Sequence, residues 1–325
     1  MCFKILEGID LGSILYNHAK NNRKFLIARM NPEARTISYY CSSLSSAEPL
    51  HKLGGPLNHD LGNYVLATDC LFFGALPSTN EAVQLPNYEF PIVTSCSFGL
   101  GYDLISDDYK IFATVIGTYG HRRPNKILSL KSGSWREIDN HTRGSCSSDG
   151  LAFVRGAFHW ILKDDLLKYF VISFNISNEV YGEISLPEEI CNICIGGYVI
   201  SSVSILQGML CAYCTCRDTE ADTFKLWIMK DYGVKESWTK LFTMREAHLL
   251  FAAPRYMFVD GEVLLYYQEA GCRRCFRTSK GPYESLDSHR GLLHGFVYIE
   301  SLISPKLLIK YSLMFDQVTQ FLLFL

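Results

Sequence analysis

The stretch Ser132–Ile138 reads SGSWREI, a turn rich in Ser and Gly that leads into a short strand ending in an aliphatic residue. Related copies of this pattern lie at Ser78–Pro86, Ser177–Ile184, Lys235–Leu241 and Ser279–Leu286. The aliphatic residues that close the five copies are Leu85, Ile138, Ile184, Leu241 and Leu286. They are about fifty residues apart, which indicates that one small β-sheet recurs along the chain.

This period predicts an all-β fold of the kelch-like β-propeller type, in which four-stranded sheets are arranged around an axis. One interval is short, because a strand around residues 44–53 ends only about thirty residues before Leu85. A full repeat would need roughly fifteen more residues in this interval. We therefore expect the first blade to be incomplete. No apolar period typical of a helix extends over three turns between residues 25 and 300.

Three β-hairpins are predicted within the repeats. Their strands are Ser97–Tyr102 with Tyr109–Ile116, Ala157–Leu162 with Tyr169–Phe174, and Phe224–Met229 with Ser237–Phe242. We interpret each hairpin as the outer half of a blade, with aromatic rings filling the seams between neighbouring sheets. Gly99 and Gly101 lie in the first hairpin, where we expect another sheet to approach closely.

The composition argues against several classes of partner. The chain of 325 residues is 48% hydrophobic and carries a net charge of −2, so it has material for a core and no surplus of basic residues. We expect no nucleic-acid partner and no membrane partner. Lys310, Asp316 and two Gln interrupt the apolar segment 307–325, which falls short of a membrane span. We find no secretory signal, so the twelve Cys are expected to be reduced thiols in the cytoplasm or nucleus.

Ordered phrases along the chain resemble the plant F-box-associated domain. They are Gly99–Lys110, Leu130–Trp135, Gly156–Trp160, Ile172–Pro187 and Trp227–Trp238, with Val297–Leu302 resembling the closing strand of that family. The resemblance covers about residues 20–305. It implies a non-enzymatic module that binds a protein substrate for an SCF-type E3 ubiquitin ligase. In such proteins an N-terminal F-box docks on a Skp1-type adaptor.

The N-terminal region departs from the pattern of that family. It lacks both the Leu-Pro start and the closing Arg-Cys-Val-Ser-Lys-x-Trp-like phrase of an F-box. We expect residues 1–24 to be a linker that normally follows an F-box, 25–304 to form the F-box-associated β-propeller, and 305–325 to be an atypical tail. A Skp1-type adaptor is therefore expected as a partner only where a full-length parent supplies the F-box.

Two cysteine pairs fit the spacing of a four-thiolate zinc site. They are Cys191 with Cys194, and Cys211 with Cys214. Each pair lies in an apolar run typical of a strand, and residues i and i+3 of a strand point to opposite faces. Buried thiols are therefore the preferred interpretation, with zinc as the alternative, and we expect neither a metal nor another cofactor.

The sequence contains no catalytic motif of the Gly-x-Ser-x-Gly, His-Glu-x-x-His or phosphate-loop type. We interpret Asp107 and Asp108 as solvated turn residues and His159 as a packed strand residue. We therefore predict no catalytic residues and no enzyme activity. The alternatives are a propeller enzyme or lectin acting on a small ligand, and a truncated product without activity.

One loop contains the residue types of a binding surface. Residues 119–125 read YGHRRPN, which is cationic, aromatic and bounded by Gly and Pro. Tyr and Arg are frequent at binding hot spots. We predict that a partner-binding loop is formed by Tyr119, His121, Arg122 and Arg123, with an ordinary solvated hairpin tip as the alternative. Trp135 and Trp238 hold equivalent places in two repeats, which predicts packing between blades.

Overall fold

The computed structural model is almost entirely β-strand, which confirms the all-β prediction. It describes residues 23–31, 36–43, 51–52, 75–76, 81–82, 95–116, 124–141, 145–146, 151–164, 168–191, 199–216, 222–246, 249–269, 272–278, 281–282 and 292–299. The helical elements of this part of the chain are α1 (Glu188–Cys191) and a 3-10 turn at Lys235–Ser237. Neither has the length that a membrane-spanning helix requires.

The first half of the described chain contributes to four antiparallel sheets, named A to D. The strands of sheets A and B are β1 (Arg23–Asn31), β2 (Thr36–Ser43), β3 (His51–Lys52), β4 (Ala75–Leu76) and β5 (Glu81–Ala82). Sheet C is formed by β6 (Ser95–Asp103), β7 (Asp108–Ile116), β8 (Asn125–Ser129) and β9 (Ser134–Ile138). Sheet D contains β10 (Ser145–Cys146), β11 (Ala152–Val154), β12 (Ala157–Lys163), β13 (Tyr169–Asn175) and β14 (Tyr181–Ile184). Both β10 and β11 pair with β12, and together they form the first strand of sheet D.

The second half supplies sheets E and F and one strand of sheet A. Sheet E is formed by β15 (Val199–Leu206), β16 (Met209–Cys216), β17 (Asp222–Met229) and β18 (Trp238–Glu246). Sheet F is formed by β19 (Leu249–Met257), β20 (Val263–Glu269), β21 (Cys272–Arg277) and β22 (Gly281–Pro282). The final strand, β23 (Leu292–Ile299), returns to sheet A, whose spatial order is β23-β1-β2-β3.

The aliphatic residues that close the repeats lie on equivalent strands. Ile138, Ile184 and Leu241 lie on β9, β14 and β18, which are the last strands of sheets C, D and E. The repeat prediction is confirmed for these three residues. Leu85 and Leu286 lie outside the described residues, although β5 and β22 fall within their copies of the pattern.

The three predicted hairpins all form, but only one of them is the outer half of a blade. The pair β6-β7 is the first half of sheet C, β12-β13 lies in the middle of sheet D, and β17-β18 is the outer half of sheet E. The prediction that all three are outer halves was wrong. Hairpin signals are the same for every adjacent antiparallel pair and do not reveal a strand's position in its sheet.

Sheet A joins the two ends of the described chain. Strand β23 pairs with β1 over seven residue pairs, from Arg23↔Ile299 to Arg29↔Leu292. This confirms that Val297–Ile299 belong to a closing strand, and it places Arg23 and Lys24 in the sheet rather than in the predicted linker. The first sheet therefore has four strands. The short interval before Leu85 contains β4 and β5 of sheet B. Residues 53–74 of this interval lie outside those described, so the expectation of an incomplete blade there stays a prediction.

The seam between sheets C and D depends on two glycines, as predicted. A Cβ atom on Gly99 would lie 2.5 Å from Cε1 of Phe158, and one on Gly101 would lie 2.5 Å from Cε2 of Phe153. The Phe158 ring stacks on Phe112 across the seam, with centroids 5.4 Å apart. Glycine is therefore required because aromatic rings of sheet D lie directly against the backbone of β6.

Aromatic side chains connect successive outer strands. Tyr181, the first residue of β14, donates its hydroxyl proton to the carbonyl of Asp139, one residue beyond β9, at 2.8 Å. Trp238, the first residue of β18, donates Nε1–H to the carbonyl of Ser185, one residue beyond β14, at 2.9 Å. Both rings lie three residues before a closing aliphatic residue, as does Trp135. Aligning the repeats of the sequence showed that Trp135 and Trp238 are equivalent but missed Tyr181. The residue type differs at that position, although Tyr, like Trp, has an aromatic ring that carries a hydrogen-bond donor.

Replacing Gly99 with Ala should lower the free energy of unfolding by about 1–3 kcal/mol, because the added methyl group overlaps the Phe158 ring. In the double variant G99A/F158L the smaller side chain makes room for that methyl group. The total loss should then be smaller than the sum of the two single losses. Urea unfolding of the wild type and the three variants measures this coupling, and strictly additive losses would contradict the close approach.

Candidate protein-binding surface

The predicted partner-binding loop joins β7 to β8. Its four residues, Tyr119, His121, Arg122 and Arg123, lie outside the described residues, so their role stays a prediction. The strands on both sides are described, up to Ile116 in β7 and from Asn125 in β8.

Asn125 fixes the base of this loop. Its buried backbone N–H donates to Oδ1 of Asn140 at 2.9 Å, and its Nδ2 donates to the hydroxyl of Tyr181 at 3.0 Å. Burial raises the pKa of Tyr181. The phenol therefore stays neutral at physiological pH and can donate to Asp139 while it accepts from Asn125. The first residue after the loop is thus attached to the outer strand of sheet D.

Because neighbouring strands run in opposite directions, successive chain connections lie at alternate ends of each sheet. Turns between the first and second strands, and between the third and fourth, lie at one end, which we call the turn end. Connections between the second and third strands, and from one sheet to the next, lie at the opposite end, which we call the loop end. The predicted binding loop belongs to the loop end of sheet C.

Asp103 connects the turn ends of sheets C and D. Its carboxylate is 1% exposed. Its donors are Lys110 Nζ at 2.6 Å, Ser106 Oγ at 2.6 Å, the Ile105 amide at 3.0 Å and Ser177 Oγ of sheet D. Burial acts to raise the pKa of Asp103, but these donors outweigh it and hold the pKa below its ordinary value. The carboxylate is therefore a charged structural link.

The neighbouring carboxylates Asp107 and Asp108 have different environments, which corrects the expectation that both are solvated. Asp107 is exposed and accepts a hydrogen bond from Tyr102, and this bond raises the pKa of Tyr102 to about 12. Asp108 is buried and accepts from Ser129 Oγ at 2.5 Å and from the Lys131 amide at 2.9 Å. The sequence did not reveal this difference, because the donors to Asp108 lie more than twenty residues away.

His159 is packed within β12, as predicted, and also connects sheets D and E. Its Nδ1 lies 3.2 Å from the carbonyl of Ala152, and its Nε2 lies 2.7 Å from the hydroxyl of Tyr232. Since a carbonyl only accepts, we assign the proton to Nδ1, and Nε2 accepts from Tyr232. Burial lowers the pKa of His159 to about 4. The ring is therefore neutral and enclosed at physiological pH.

Cysteines of β16 lie on both faces of sheet E. Cys211 packs between sheets E and F, and Cys214 packs between sheets D and E. These two thiols therefore cannot bind one ion, which agrees with the strand argument. Cys191 ends α1 rather than lying in a strand, and Cys194 is outside the described residues. Within the described ranges, no three His, Cys, Asp or Glu side chains are grouped to hold a metal ion.

Comparison with known proteins gives one family and several relatives. Residues 82–304 match the model of the F-box associated beta propeller domain. The chain is 30% identical over 243 residues to the F-box protein CPR1 of Arabidopsis thaliana, which covers 63% of this chain and 56% of that protein. It is 27% identical over 215 residues to an F-box/kelch-repeat protein of Arabidopsis thaliana, which covers 64% and 56%. The chain thus spans about half the length of the curated relatives that it matches.

A solved structure of puromycin hydrolase superposes with a TM-score of 0.36 at 11% identity, over 79% of this chain and 36% of the hydrolase. This similarity is too low to support a conclusion about fold or activity. The family match begins in β5, so β1, β2 and β3 of sheet A precede it, whereas β23 lies within it.

The burial of His159 predicts a dependence of stability on pH. Its pKa falls from about 6.5 when unfolded to about 4 when folded, so its contribution is fully present above pH 6.5 and is lost as the pH falls toward 4. The resulting decrease in the free energy of unfolding should reach about 3 kcal/mol. H159Q should reduce the slope of the unfolding free energy between pH 6.5 and 4, as measured by urea unfolding.

The variant Y232F is the matched control. It removes the hydrogen bond at Nε2 and should cost about 1–2 kcal/mol at every pH. It should keep the slope, because burial is the main cause of the shift. An unchanged slope in H159Q would show that His159 is not the group responsible.

Proposed function

Because the chain belongs to the family of F-box associated β-propeller domains, we propose that it binds a protein substrate and presents it to an SCF-type E3 ubiquitin ligase. The family match over residues 82–304 carries this proposal, and the relatives named above are F-box proteins. In such a ligase the F-box docks on a Skp1-type adaptor and the propeller selects the substrate.

The environment of the titratable groups supports a binding role rather than catalysis. Asp103, Asp108 and His159 are each buried and hydrogen-bonded within or between sheets. A general acid or base must instead reach the substrate in the site. The described cysteines Cys41, Cys211, Cys214, Cys216 and Cys275 are free thiols. We therefore propose a non-enzymatic module that acts in the cytoplasm or nucleus.

We propose that the substrate contacts the loop end through Tyr119, Arg122 and Arg123. Support comes from the residue types of this loop and from the hydrogen bonds of Asn125, which fix its C-terminal base. A fixed base lowers the entropy lost when a loop binds a partner.

Adaptor binding should require an F-box. In a pull-down with a purified Skp1-type adaptor, residues 1–325 alone should give no measurable binding, because the sequence contains neither the Leu-Pro start nor the closing Arg-Cys-Val-Ser-Lys-x-Trp-like phrase of an F-box. A fusion that places an F-box before Asn17 should bind. Robust binding by the unfused chain would contradict the interpretation of the residues before β1 as a linker.

Substrate capture tests the function itself. The fusion, expressed in plant cells with the proteasome inhibited, should cause ubiquitylation of a small set of proteins, each of which should also bind the purified domain. Changing Tyr119, Arg122 and Arg123 together to Ala should weaken that binding by about 2 kcal/mol, or about thirtyfold. The control K131A, at an exposed position of the turn end, should bind normally.

The two failures are distinguishable. If no protein is ubiquitylated in a manner that depends on the fused F-box, the proposed function is wrong. If such proteins are found and the triple variant binds them as tightly as the wild type, the function stands and the loop assignment is wrong.

A further inference from the structure

We propose that the turn ends of sheets C, D and E carry a second docking surface, for an apolar protein segment that contains an acidic residue. This surface, which we call the turn patch, consists of Leu104, Ile105, Arg155, Val180 and Val234. The inference rests on the proposed protein-binding function, and it adds a surface and the chemistry of the segment that binds there.

Apolar side chains project from this end of the sheets. Leu104 and Ile105, in the first turn of sheet C, are 72% and 81% exposed. Val180 in sheet D and Val234 in sheet E are 58% and 46% exposed. Exposed apolar groups that lie together mark interaction sites, whereas isolated ones are ordinary.

Contacts between sheets bring these turns together. The Phe153 ring lies directly against Gly101. Leu104 follows Gly101 by three residues and Arg155 follows Phe153 by two, so the two turns begin close to this contact. Ser177 Oγ donates to Asp103 at the base of the same turn. The neighbouring Ile176 amide donates to the carbonyl of Gly156 at 3.0 Å. The turns that contain Leu104, Arg155 and Val180 are therefore adjacent.

Arg155 extends the patch to sheet E. Its guanidinium carbon lies 5.4 Å from the ring centroid of Tyr232, two residues before Val234. A cation–π contact of this kind uses the charge of the guanidinium group and none of its N–H donors, so a carboxylate can still accept hydrogen bonds from them.

The charges around the patch leave Arg155 uncompensated. It is exposed and forms no ion pair with any residue in the described ranges. Two nearby acidic groups are already ion-paired, Asp103 with Lys110 and Glu179 with Arg136. Asp107 keeps its charge but is engaged by the Tyr102 hydroxyl, which donates to it. In the turn that carries Val234, Lys230 and Lys235 are balanced by Asp231 and Glu236. A partner with a carboxylate between apolar side chains complements this arrangement.

The backbone at Arg155 supports the same conclusion. Arg155 and Gly156 both have positive φ, 51° and 76°, in a two-residue turn that normally favours Asn or Gly at its first position. The equivalent turn of sheet E has Gln207, and its Nε2 donates to the carbonyl of Phe258 in sheet F at 3.2 Å. Gln207 thus has a structural role that offsets an unfavourable φ. For Arg155 the contact shown within the described ranges is the Tyr232 ring, and the side chain is exposed.

The test uses a random peptide library displayed on phage and selected against the whole chain. Enriched peptides should contain Asp or Glu next to apolar residues. The tightest one, synthesised with a fluorophore, should bind R155A and I105S at least about tenfold more weakly in fluorescence polarisation. R155E should regain binding when the acidic residue of the peptide is replaced by Lys.

V259S is the matched control, because Val259 is equally exposed but lies in sheet F outside the patch. It should bind like the wild type, and all variants should keep the same unfolding midpoint. Failure to enrich any peptide, enrichment of peptides without acidic residues, or unchanged binding by R155A and I105S would overturn the proposal. If binding is instead lost in the Tyr119, Arg122 and Arg123 variant, the turn patch is wrong while the proposed function stands.

Discussion

Pairing between β1 and β23 is the constraint on which the rest of the fold depends. Each sheet covers its apolar faces mainly against its neighbours, so a row of sheets leaves an uncovered face at each end. The last described strand, β23, returns to the first sheet and covers the exposed face of sheet F, because β19 and β21 contact it. The first and last described strands therefore belong to one sheet, although nearly all of the described chain lies between them in sequence.

The seams between sheets C and D, D and E, and E and F each combine apolar packing with a polar link near the turn end. Between sheets C and D the rings pack against Gly99, and Asp103 binds Ser177. Between sheets D and E the link is His159 with Tyr232, and between E and F Gln207 donates to carbonyls of sheet F. These links hold the turns in fixed relative positions. A rigid surface binds with a smaller entropic cost, which connects the scaffold to the proposed docking role.

The sequence predicted the features that recur and missed those that depend on distant partners. The repeated phrase identified Ile138, Ile184 and Leu241 as equivalent, and the two glycines of a predicted strand marked Gly99 as a point of close approach, because both signals are local. It did not predict that Asp108 is buried or that Tyr181 matches Trp238, since both depend on residues in another strand or sheet. The turn patch was also missed, because its residues are separated by up to 130 positions and meet only through contacts between sheets.

The pairing of β1 with β23 is tested most directly by a disulfide between these two strands. Lys24 and Tyr298 are register partners, so the variant K24C/Y298C should oxidise to an intramolecular disulfide, mapped by mass spectrometry, and should resist urea more strongly than the wild type. The chain-entropy estimate for so long a loop is about 5 kcal/mol. The pair K24C/H294C, on the same strands but four positions out of register, should not link. Failure of the first pair to link, or equal linking of both, would contradict this pairing.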